Sequence, residues 1–181
     1  MGLFAKIKEL FSAQKYVFSA MAEMDRKNNT SANLTTEELG GLTDDELISA
    51  VLYRTDKKID EMLGKKKKGT PADWAESLVG VQRTVYILSY FESDLQTGGL
   101  AYFLERNGAL APKVSDCLSE IGAAEHRALY DGFLANRGYR MGYSERLEYQ
   151  EELTAFDTDY RALPALEQSF AAYLRANIEQ F

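Results

Sequence analysis

Apolar positions recur at three- and four-residue spacing through most of this chain, and the interruptions fall at glycines, prolines and polar runs. Leu3, Phe4, Ile7, Leu10, Phe11, Val17, Phe18 and Met21 predict an amphipathic helix over 3–27. Its use is expected to be packing on the rest of the protein or on a second copy, rather than lying on a membrane. Residues 26–41, "RKNNTSANLTTEELGG", are polar and turn-rich, and predict a loop with one short helical turn. "LTDDEL" is a helix start. Thr43 caps, Glu46 completes a capping box, and Leu42 and Leu47 are placed for a hydrophobic staple. Ile48, Val51, Leu52, Ile59, Met62 and Leu63 carry that helix's stripe, and Gly64 stops it.

"GKKKKG" at 64–69 predicts an exposed linker, because four adjacent lysines repel one another. "TPADW" opens the next helix, with Thr70 as cap, Pro71 at the first helical position and Asp73 in the first turn. Trp74, Leu78, Val81, Val85, Leu88 and Leu95 form one stripe, widened by Tyr86, Ile87, Tyr90 and Phe91. A helix apolar over so much of its circumference belongs at the centre of a bundle. It ends at Gly98 and Gly99, since two adjacent glycines are costly inside a helix. A short aromatic helix, ended by Gly108, is expected to fold back from this corner. Two more short helices precede Gly122 and Gly138, and the tail holds one or two helices and then a last one, with a joint at Pro164. Asp157 or Asp159 is a candidate helix cap in the tail.

The pattern predicts an all-α fold: a single compact multi-helix domain with an N-terminal helical extension. Residues 1–69 form the extension, with its Lys-rich linker at 65–68, and 70–181 form the helical domain.

Charge narrows the functional classes. The formal net charge of the 181 residues is -7, which disfavours direct nucleic-acid binding. Residues 1–70 hold 12 Lys and Arg against 11 Asp and Glu, a net +1, whereas 71–181 hold 9 against 17, a net -8. The single cysteine, Cys117, permits no intrachain disulfide and reads as a buried structural thiol. The single histidine, His126, reads as a surface residue, and no metal-ligand motif accompanies it. No signal peptide or membrane span is expected, which points to a reducing cytoplasm. The glycine pair is not a phosphate loop, because it has neither a preceding strand nor a following GK[ST]. No catalytic motif is visible, and no cofactor is expected.

The acidic tail offers the best candidate for partner binding. If 145–160 is one helix, Glu145, Glu148 and Glu152 fall within about 60° of one another, and Asp159 joins them. Carboxylates three or four residues apart stand roughly 5–6 Å from each other, comparable to phosphate spacing along a nucleic-acid strand. Glu145, Glu148, Glu151, Glu152, Asp157 and Asp159 are therefore the candidate partner-binding residues.

From Trp74 onward the chain resembles the DNA-mimic protein 19 family. The segment that carries the resemblance is "VQRTVYILSYFESDLQTGGLAYFLERNGALAPKVSDCLSEIGA", with Glu92, Gly98, Gly99, Phe103, Asn107 and Gly122 in the motif positions. Thr97 and Leu100 depart from the family's asparagine and aromatic. The resemblance implies an acidic helical protein that imitates duplex DNA and occupies the DNA-binding face of a protein partner, acting as a homodimer. The expected function is thus a non-enzymatic protein–protein interaction. An immunity or antitoxin-like inhibitor of a toxin or nuclease is the alternative. A carboxylate-based hydrolase is the third reading, and it predicts convergent buried carboxylates in a concave pocket.

Overall fold

A computed structural model describes residues 33–64, 69–135 and 141–181. The expected helix at 3–27, the lysine linker and the stop at Gly138 lie outside these residues. Every regular element among the described residues is helical. In chain order they are α1 (Thr36–Gly40), α2 (Asp44–Leu63), α3 (Pro71–Ser77), α4 (Gly80–Asn107), α5 (Ala111–Glu120), α6 (Ala124–Leu134), α7 (Tyr143–Glu148), α8 (Gln150–Ala162) and α9 (Leu166–Ala176), followed by a 3₁₀ turn, Ile178–Gln180.

The helix starts follow their local chemistry. Glu46 accepts from the Thr43 backbone N–H at 3.0 Å, and Asp73 accepts from the Thr70 backbone N–H at 2.7 Å. Leu47 of the expected staple is fully buried, with Leu42 partly buried against the core. Gly64 ends α2 with φ 66°. α1 is the expected short turn within the polar loop.

The apolar run that begins at Trp74 is not one helix. Leu78 and Val79 are extended, and the chain restarts at Gly80 with φ 53°, so α3 and α4 are separate helices. The break lets Leu78 turn into the core at 1% exposure while Val79 points to solvent. α4 is central as its apolar circumference predicts: Thr84 to Leu88 are five consecutive buried residues. Phe91 stacks edge-on against Phe103, Tyr130 and Tyr160, at centroid distances of 5.1, 5.3 and 5.9 Å.

α4 packs against α2, α3, α5 and α8, and α2 also lies along α9. Leu39, Leu47, Ala50, Val51 and Ile59, which precede the boundary expected at residue 69, share one core with the C-terminal helices. Arg175 of α9 fastens this region further. It donates to the Gly40 carbonyl at 3.0 Å, the Leu42 carbonyl at 2.8 Å and the Asp44 carboxylate at 2.7 Å. Cys117 is buried, and burial with the nearby Glu120 charge pushes its thiol up to about 12, so it is an inert core residue. No helix among the described residues is long and apolar enough to cross a membrane.

Candidate functional site

The glycine pair interrupts α4, with Gly98 at φ -156°, ψ 16° and Gly99 at φ 76°, ψ -173°. The second half of the helix folds back on the first. Asn107 donates to Asp94 at 2.6 Å, although thirteen residues of straight helix span about 20 Å. The corner exposes the first N–H groups of the new helical segment, which have no partner within it. Asp157 of α8 supplies one, its carboxylate accepting from the Leu100 N–H at 2.9 Å. The anion held at the glycine corner is therefore the protein's own carboxylate.

Each glycine serves a separate contact. A Cβ on Gly99 would lie 2.0 Å from Asp157 Oδ2, and one on Gly98 would lie 2.8 Å from Tyr102 Cβ. The first obstacle is the carboxylate end of Asp157, held on the Leu100 N–H, and the second is the base of the Tyr102 side chain.

Next to this corner lies a cleft of about 300 Å³ between α4, α6, α8 and the 163–166 joint. Glu92, Gln96, His126, Asp157, Tyr160 and Arg161 contribute its polar wall. Glu92 accepts from the Tyr160 hydroxyl at 2.7 Å and from Gln96 Nε2 at 3.1 Å. Burial, with the adjacent Glu92 charge, raises the Tyr160 phenol far above its ordinary range, so it stays a donor. The two carboxylates that this cleft brings together, Glu92 and Asp157, are thus each bound to the protein's own donors.

His126 is not a surface residue. It is 5% exposed, stands on the same stripe of α6 as Tyr130 and Phe133, and packs edge-on against Tyr160 at 5.1 Å. Burial holds its imidazole below the ordinary value. The opposing pulls from Glu92, Glu125 and the Pro164 carbonyl, which accepts from the ring, are smaller. The unfolded chain therefore binds a proton before the folded one does. Stability from neutral His126 is complete above about pH 6.5 and is lost as pH falls below it toward the lower folded value. Urea unfolding of wild type should lose stability across this window relative to His126→Gln. Parallel pH profiles for the two proteins would contradict this assignment.

The acidic tail is arranged differently from the single helix expected over 145–160. Tyr149, at φ -103° and ψ 21°, separates α7 from α8, so one helical phase does not run through both. The apolar side chains at 153 and 156 must turn to the core, and the break allows this independently of α7. Glu145 caps its own helix, accepting from the Gly142 N–H at 3.2 Å, and Asp157 is the corner cap rather than a solvent-facing acid. Glu148, Glu151, Glu152 and Asp159 are exposed. Glu152 and Asp159, seven residues apart, share one flank of α8, within about 20° at 100° per residue.

The motif residues occupy connected positions. Glu92 meets Tyr160, Gly98 and Gly99 make the corner, Phe103 packs on Phe91, Asn107 meets Asp94, and Gly122 follows α5 with φ 75°. Asp94, which the sequence reading did not single out, the hydroxyl of Tyr160 and, as a core residue, His126 complete this arrangement. Their polar groups in otherwise apolar helical stripes were the available signal.

These features define an all-α protein built on a central helix broken at a glycine corner and capped from a distant acidic helix. A model of the DMP19-like protein family matches residues 76–177, and the chain belongs to that family. The match spans α4 to α9 and the last residues of α3, and so contains the whole corner and its cap. No curated protein and no solved structure matches the chain significantly.

Proposed function

We propose that this protein is a non-enzymatic interaction protein whose acidic C-terminal helices occupy the DNA-binding face of a protein partner. The observation that carries the reading is the set of exposed carboxylates on α7 and α8, Glu148, Glu151, Glu152 and Asp159, in a family member whose residues 71–181 carry a net -8. Their neighbour Arg146 is drawn aside into an ion pair with Glu105 at 3.3 Å. Electrostatic complementarity of this kind speeds association and weakens with salt.

Affinity capture from the native cell at low salt, followed by competition with duplex DNA, tests the reading. A DNA-binding protein should be recovered and DNA should displace it. Converting Glu148, Glu151 and Glu152 to Gln and Asp159 to Asn together should weaken that complex at least about tenfold. Neutralising the exposed Glu37, Glu61 and Glu125 should have little effect. Equal losses from the two sets, or recovery of no DNA-binding protein, would refute the proposal.

A further inference from the structure

A groove of about 270 Å³ lies between the second half of α4, α7 and α8, beside the glycine corner. Gly98 and Ala101 of α4, Leu147 of α7, and Gln150, Leu153 and Thr154 of α8 contribute to its walls. Leu147 is 56% exposed, the one exposed large hydrophobic on α7 and α8 among the described side chains. The polar groups along the groove are largely engaged by the protein itself. Arg146 is paired with Glu105 at 3.3 Å, the Thr154 hydroxyl donates to the Gln150 carbonyl at 2.8 Å, and Asp157 is held on the Leu100 N–H. Besides the Gln150 amide, the surface left open to a partner is apolar: Leu147, with the largely buried Ala101 and Leu153 on the same wall.

A single exposed leucine on a polar surface needs no explanation. Leu147 differs in its setting, a groove edged by carboxylates. Glu148 follows it directly, Glu151 and Glu152 follow Gln150, and all three are exposed. An apolar contact ringed by polar groups that exclude water is the usual build of an interface anchor. The two chemistries select different features of one partner. The carboxylates favour a cationic surface, and the groove favours an aliphatic or aromatic side chain set within that surface. Proteins that read DNA carry this combination: Lys and Arg for the phosphates, and apolar side chains for thymine methyl groups.

We propose that this groove receives an apolar side chain carried on the basic, DNA-reading surface of the protein partner, with Leu147 as its main contact. The proposal rests on the role given above to the acidic face and specifies the partner further. A partner that offered cations alone would leave Leu147 and the groove uncovered. The carboxylates then govern how fast the partner arrives and how salt weakens the complex, whereas the groove governs how long a matching partner stays.

The test titrates the full chain with the purified DNA-binding protein recovered by affinity capture, at low and at high salt. Leu147→Ser should weaken binding at least about tenfold at both, leaving the salt dependence as in wild type. Its melting temperature should not change, because the side chain is exposed. Leu147→Met keeps an apolar side chain of similar size and should restore most of the affinity. Val79→Ser removes an equally exposed aliphatic at the start of α4, away from the groove, and should have no effect. The variant neutralised at Glu148, Glu151, Glu152 and Asp159 should instead lose affinity mainly at low salt. If that variant weakens the complex and Leu147→Ser does not, the groove proposal is overturned and the acidic-face reading stands. Equal losses from Leu147→Ser and Val79→Ser would also overturn it, since the groove would then have no special part. If Leu147→Ser weakens the complex and the neutralised variant does not, the partner surface is not basic, and both readings fall. Recovery of no DNA-binding protein refutes both as well.

Discussion

Gly99→Ala is expected to destabilise the protein by about 2–4 kcal/mol, read as the shift in urea unfolding at 25 °C. Two separate effects contribute. Backbone angles of φ 76° and ψ -173° lie in a region open essentially only to glycine, which costs about 1–3 kcal/mol for any other residue. The new methyl would also stand 2.0 Å from Asp157 Oδ2, so the carboxylate must leave the Leu100 N–H. Loss of that cap adds about 1 kcal/mol. Asp157→Ala removes the cap alone and should cost about 1 kcal/mol, well below the glycine variant. In Gly99→Ala with Asp157→Ala, the second substitution should cost almost nothing further, because the first has already displaced the carboxylate. If Gly99→Ala costs no more than Asp157→Ala, the corner is not strained, and if Asp157→Ala costs nothing, the capping account fails.

The corner also shows where sequence reading reaches and where it stops. Gly98 and Gly99 were legible as a break, because local propensity alone makes two glycines a poor helix interior. Thr43 with Glu46 and Thr70 with Asp73 were legible for a similar reason: both partners lie within one turn. The Asp157 cap was not, since 57 residues separate it from Leu100; the sequence reading made it a candidate cap of a tail helix and a partner-binding acid, whereas it lies inside α8 and caps the corner of α4. The same limit explains Tyr149 and Leu78. Both sit in apolar patterns that extrapolate to continuous helix, and only packing against α4 and the core shows why the chain bends there. His126 was misjudged because a lone histidine is usually exposed, whereas its stripe with Tyr130 and Phe133 decides its side.

The second large effect concerns the link that holds the two halves of α4 together. Asn107→Leu should cost about 3 kcal/mol, because it keeps the heavy-atom count and the branching at Cγ but removes the amide that Asp94 accepts from at 2.6 Å. Both residues are 8% exposed, so the abandoned carboxylate has little access to water. The penalty then belongs mainly to the stranded group rather than to the lost bond, and a further substitution distinguishes the two. Adding Asp94→Leu removes the stranded charge and should recover much of the loss, leaving the double variant more stable than Asn107→Leu alone. A double variant less stable than the single would mean that the hydrogen bond itself, or the fit of its partners, supplies the stability. Hydrogen exchange locates the consequence. The Asn107 variant should speed exchange at the amides of residues 101–107 more than at 84–91, because the first half of α4 is held on Tyr130 and Tyr160 through Phe91, whereas the second half relies on this bond and the Asp157 cap besides the Phe103 contact. Uniform acceleration along α4 would instead show that the helix opens as one unit, and that the corner does not divide it into separately held halves.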